Sequence, residues 1–155
     1  MTTVPVDQLD TYIGKEIGRG EWFEIDQDRI DAFARITMDD QWIHTDREAA
    51  AKGPFGTTIA HGFLTLSLLS YLMGDVGIKP AGATLLVNYG SDKVRFLAPV
   101  RVGSRIRSVA TLTGVREKSQ GQYLLTQNVV IEIEGEDTPA LVADVLTLAA
   151  VPSDS

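Results

Sequence analysis

Cysteine is absent from this chain of 155 residues. That excludes disulfides and thiolate chemistry, and it fits a cytoplasmic protein. No apolar run reaches the ~18–20 residues that a membrane-spanning helix needs. The longest, residues 63–73, has only the length of a core helix. The first residues lack a basic segment followed by an apolar block, so no secretory signal is expected. Positive charge is scarce: 14 Lys and Arg stand against 21 Asp and Glu, a net charge of −7. A nucleic-acid partner is therefore not expected. An anionic ligand would need a local basic patch against the overall field. Internal repeats and low-complexity segments are missing too.

Hydrophobic residues make up 44% of the chain, enough for a real core. The expected organisation is a single domain over residues 1–155. Residues 1–20, punctuated by Gly14, Gly18 and Gly20, read as a segment wrapping the surface, and residues 152–155 as a tail. A short strand at 22–25 leads to a helix capped by Asp26, with Ile30, Phe33 and Ala34 on its apolar face. Thr45-Asp46-Arg47-Glu48 has the form of a capping box, predicting a short helix over 46–51. Residues 62–73 have almost no polar side, which predicts a helix buried nearly all round. The stretch 74–82 reads as a connection.

The second half changes character. Residues 84–89, 93–98, 104–116, 122–134 and 140–151 read as strands. The alternation is clearest where Tyr123, Leu125, Gln127, Val129, Ile131 and Ile133 share one face. Turn signals at 117–121 and 135–139 imply antiparallel hairpins. One buried helix followed by long antiparallel strands predicts a sheet wrapped around a helix, an α+β architecture.

Chemistry concentrates in two stretches. Met38-Asp39-Asp40-Gln41-Trp42-Ile43-His44 puts a carboxylate five residues before an imidazole. Ile59-Ala60-His61-Gly62-Phe63 puts a His-Gly pair at the start of the apolar helix. A carboxylate and a histidine can hold one water between them, and free N–H groups at a helix start can stabilise an oxyanion. Such equipment suits adding water to, or removing it from, an activated double bond. Asp40 is expected to face solvent.

These stretches, together with Gly53-Pro54-Phe55-Gly56 and Arg95-Phe96-Leu97-Ala98-Pro99-Val100 followed by Gly103, resemble the MaoC-like dehydratases. That hot-dog-fold family includes the (R)-specific enoyl-CoA hydratases. Gln41-Trp42-Ile43-His44 resembles the nodulation-protein-N-like branch. The resemblance runs over residues 9–151. Met38, Gln41 and Trp42 stand where the family usually has Gly, Asn and Pro.

The resemblance implies reversible hydration of a trans-2-enoyl thioester to an (R)-3-hydroxyacyl thioester, a hydro-lyase activity of fatty acid metabolism. It implies Asp39 and His44 as the water-activating pair and the Gly62 N–H as oxyanion donor. His61 and Ser70 are supporting candidates. Trp42 could wall the pocket or simply pack. No metal or redox cofactor is implied; coenzyme A is part of the substrate, and an acyl-carrier thioester is the alternative. Lys79, Lys93, Arg95, Arg101, Arg105 and Arg107 could offer coenzyme A phosphates a basic patch, although a solvated face is the simpler reading. A homodimer with one continuous sheet is implied as well. A hot-dog acyl thioesterase and a non-catalytic acyl-binding subunit are the competing functions. The paired acid and base, and a helix without a carboxylate, argue against both.

Overall fold

The computed structural model describes residues 1–152. The last three residues of the expected 152–155 tail lie outside the described residues. Period-2 alternation in the C-terminal half builds four long strands: β5 (Leu85–Phe96), β6 (Arg105–Ser119), β7 (Gln122–Ile133) and β8 (Leu141–Ala150). With β2 (Glu16–Arg19) they form a sheet in the order β2-β6-β7-β8-β5, and β3 (Phe23–Glu24) also pairs with β6. The pairings are antiparallel, and the hairpins fall where the turn signals predict them.

The inner face of the sheet carries Val129, Ile131 and Ile133 from β7 and Ala143 and Val145 from β8. It packs on two short helices in series, α4 (Gly62–Ser67) and α5 (Leu69–Leu72), through Leu64, Leu69, Leu72 and Met73. Burying one such large side chain contributes about 1.5–3 kcal/mol. This is the expected α+β hot-dog arrangement of a long antiparallel sheet over a central helix.

Ahead of the central helix lie α1 (Gln27–Thr37), α2 (Trp42–Thr45) and α3 (Arg47–Ala51). Asp26 caps α1 by accepting the Arg29 N–H, and Ile30 and Ala34 anchor its buried face. Among the described residues, no helix is long and apolar enough to cross a membrane.

Four expectations differ in detail. The central helix is not apolar-buried all round: Phe63 is 67% and Tyr71 65% exposed, because one sheet covers only one side of it. The expected strands at 84–89 and 93–98 are one strand, β5, whose register shifts at Asn88/Gly90 and Asp92/Arg95 absorb the break in the pattern. The Thr45 capping box does not form. Residues 42–45 are already helical, so the cap moves on to Asp46, which accepts the Ala49 N–H, while Glu48 pairs with Lys52. Finally, the first residues do more than wrap. The strand β1 (Thr2–Val4) pairs in parallel with β4 (Ile78–Pro80), inside the expected connection, and a 3-10 helix spans Val6–Tyr12. Val4 and Leu9 thereby build a second small core with Ile78, Leu112 and Leu125.

Candidate active site

The chain has only two histidines, and the fold brings them face to face. His44 sits on the single turn α2, and His61 is the residue from which α4 starts. Their rings stack with centroids 3.8 Å apart and planes 23° apart. Both are buried, and the Asp39 carboxylate lies within 4.8 Å of the nearest nitrogen of each. Asp40 is exposed and contributes its carbonyl to Thr45 instead.

The hydrogen bonds fix which nitrogens are free. His44 Nδ1 lies 2.7 Å from the Ile59 carbonyl, which can only accept, so Nδ1 carries the proton. The Nε2 lone pair of neutral His44 is thus the basic one. His61 Nε2 likewise donates to the Asp39 backbone carbonyl at 2.9 Å, and its buried Nδ1 has no partner among the described residues. Burial, above all, holds the His44 pKa below the ordinary imidazole value. The bond to Ile59 opposes this, His61 pushes the same way as burial, and Asp39 opposes. His44 is therefore kept neutral at pH 7.

Asp39, His44 and His61 are the one group of three such side chains, among the described residues, close enough to share an ion. Their geometry fits one poorly. An imidazole lone pair lies in the ring plane, and two stacked, nearly parallel rings direct their lone pairs along neighbouring planes rather than to a common point. The cluster is better arranged for sharing protons.

Supporting contacts come from α1 and from the segment before α4. Gln27, 5% exposed, donates to the His44 carbonyl at 2.8 Å and accepts the Thr58 hydroxyl at 2.5 Å. The Ile59 N–H donates to the Ile43 carbonyl and the Ala60 N–H to the Val100 carbonyl, so residues 58–61 are pinned on both sides. Sequence reasoning missed Gln27, since a polar residue in the first turn of a helix ordinarily faces water. Its spacing from Asp31, whose carboxylate its amide also meets at 2.8 Å, carried no hint of the third partner, His44.

Gly62 opens α4. The Leu64 and Thr65 N–H groups fold back on the His61 carbonyl, and no backbone carbonyl among the described residues takes the Gly62 N–H. A Cβ at Gly62 would stand 3.0 Å from the Phe96 ring of β5, so glycine is what lets that ring approach. Trp42 lies on Gly53 in the same way: a Cβ there would stand 2.8 Å from the indole. Ser70 is not in the cluster. It is exposed on α5, and its hydroxyl accepts the Asn88 amide at 3.3 Å.

Of the basic residues, several are engaged within the chain. Arg105 pairs with Glu134, Arg107 with Glu132 and Lys93 with Asp144. Arg101 donates to the Phe55 carbonyl. Lys93, Arg105 and Arg107 are thus held by acidic partners on or next to neighbouring strands.

A sheet over a central helix, with a carboxylate and a neutral buried imidazole gathered at the helix start, defines a hot-dog protein with a carboxylate–imidazole cluster. The chain matches the MaoC like domain over residues 8–133 and belongs to that family. It is 46% identical over 139 residues to a Mycobacterium tuberculosis protein named 3-hydroxyacyl-thioester dehydratase Z, covering 90% of this chain and 91% of the relative. It is also 46% identical over 149 residues to nodulation protein N of Rhizobium leguminosarum bv. viciae, covering 96% and 92%. The fold matches the crystal structure of the MaoC-like dehydratase from Rhodospirillum rubrum with a TM-score of 0.77 at 19% identity, covering 97% and 99%.

Proposed function

We propose that this protein is a hydro-lyase that interconverts trans-2-enoyl and (R)-3-hydroxyacyl thioesters. The observation that carries the reading is the Asp39 carboxylate within 4.8 Å of a ring nitrogen of buried, neutral His44, whose Nδ1 is held by the Ile59 carbonyl. Conjugate addition needs a base for water and an acid for C2, close together on one side of the double bond. In hydration, the water oxygen bonds to C3 while the Asp39–His44 pair removes one of its protons. The electron pair of the double bond moves toward the thioester, and C2 then takes a proton from the same pair. Dehydration is the reverse. Negative charge on the thioester oxygen is met by the Gly62 N–H at the start of α4.

The mycobacterial relative's name, a dehydratase of 3-hydroxyacyl thioesters, supports the substrate class. Coenzyme A is the proposed thiol carrier, an acyl-carrier thioester the alternative, and no metal or redox cofactor takes part. His61 acts by holding the Asp39 carbonyl. We read the chain as one domain acting in the cytoplasm, in keeping with the lack of cysteine.

The test is loss of the enoyl absorbance of crotonyl-CoA, with free thiol followed in parallel. Hydration gives the first signal alone; thiol release would mean a thioesterase, and neither signal a binding protein. Asp39→Asn and His44→Gln should each lower kcat about 10²–10⁴-fold in a folded protein. Near wild-type turnover in either variant would remove that residue from the acid–base role.

A further inference from the structure

A cavity of about 700 Å³ lies between α4–α5 and the inner face of β5, β7 and β8, on the far side of Gly62 from the histidines along the helix. Ser70 is eight residues beyond Gly62, about 12 Å at the rise of a helix. Much of its wall is polar and uncharged, including Ser67, Ser70, Asn88 and Thr147. Deepest in the sheet is Gln127, on the face that otherwise carries Leu125, Val129 and Ile131.

Gln127 is only 2% exposed, yet half of its amide is unused. Its Oε1 accepts the buried Ile78 N–H at 3.2 Å. That bond fixes the amide orientation, because a flipped amide would set NH₂ against N–H. The Nε2 group donates to no partner among the described residues, and Gln127 forms part of the cavity wall. The Nε2 atom is not sealed from solvent, so water in the open cavity can meet it, and a ligand that displaces that water must supply an acceptor in its place. The Ser70 hydroxyl on the opposite wall accepts from Asn88, which leaves its own O–H free as a second donor.

The enoyl-thioester reading puts the distal part of the acyl chain in this cavity, and we propose that Gln127 there selects chains carrying an acceptor oxygen, a ketone or hydroxyl, at that depth. The inference rests on the enoyl-thioester reading. A fully hydrocarbon chain would strand the Gln127 donor. A chain with a carbonyl near its end would satisfy it, and Ser70 could donate to the same oxygen. Sites built to meet a polar group discriminate strongly against analogues lacking it.

The experiment compares two saturated acyl-CoA series by titration calorimetry. One is unsubstituted, and the other carries a ketone on the carbon next to the chain end. Saturated thioesters bind without turning over, so this reads the cavity alone. The keto compound of best-fitting length should bind about 3–10-fold more tightly than its plain counterpart, the worth of one net hydrogen bond. Gln127→Met should abolish that preference. Gln127→Glu keeps an oxygen for the Ile78 N–H, guarding against loss of fold, and should abolish or reverse the preference. Equal affinities in the wild type, a preference that survives both variants, or no binding of either series would each overturn the inference. Crotonyl-CoA is too short to reach the cavity. Its hydration therefore tests the proposed reaction separately, and failure there is distinguishable from failure here.

Discussion

His44 makes the site's pH behaviour predictable from one side chain. Its pKa in the folded chain lies below the ordinary imidazole value, chiefly through burial. The unfolded chain therefore takes up a proton first as pH falls below ~6.5. Stability should be fully present above that pH and decline through the interval down to the folded pKa, where His44 itself protonates. Thermal melts between pH 5 and 8, in wild type and in His44→Gln, check this: the slope assigned to His44 should shrink in the variant. The acid limb of kcat/KM should likewise lie below the ordinary imidazole range. Next to the site, Met38 ends α1 at φ 62° with its side chain 88% exposed. A left-handed non-glycine residue costs about 1–2 kcal/mol, so Met38→Gly should raise Tm by relieving it. A lower Tm would show that Met38 earns its place by a contact. The sequence comparison with the family's usual glycine made this position legible. The tautomers of His44 and His61 were not, since they depend on the carbonyls of Ile59 and Asp39, brought there only by folding.

Between elements, the informative contact is that of α4 with β5. The resemblance implies the Gly62 N–H as oxyanion donor, and the neighbour nearest to the missing side chain of that glycine is Phe96. Gly62→Ala should therefore lower kcat/KM partly by displacing that ring. Combining it with Phe96→Leu should restore thermal stability and separate the two causes. Full recovery of kcat/KM in the double variant would mean the methyl never met the substrate. The start and the buried face of helix α1 were readable, because Asp26 and the spacing of Ile30 and Ala34 are local signals. The strands after Ser104 were readable for the same reason. The division of the central helix at Leu68 and its open face were not. Apolar composition records what can be buried, while the coverage of Phe63 and Tyr71 depends on how many layers surround them.

At the scale of the molecule, β5 is the edge of the sheet beyond β8, and Leu85, Val87 and Tyr89 on it are 56%, 43% and 51% exposed. An edge so apolar calls for a partner. Pairing β5 with its counterpart in a second copy would make one continuous sheet and cover the open side of the central helix. Light scattering at micromolar concentration should give twice the chain mass, and Val87→Lys should move the equilibrium toward monomer. A wild-type mass near 16.8 kDa would sink the dimer. The Ile78 amide lies where the two sheets meet. Its proton is held by the Gln127 side chain, the polar rivet between the small β1–β4 sheet and the main one. In hydrogen–deuterium exchange, that single proton should report on the depth of the cavity. It should exchange slowly in the free protein, more slowly still once a chain fills the space beneath it, and fast in Gln127→Met.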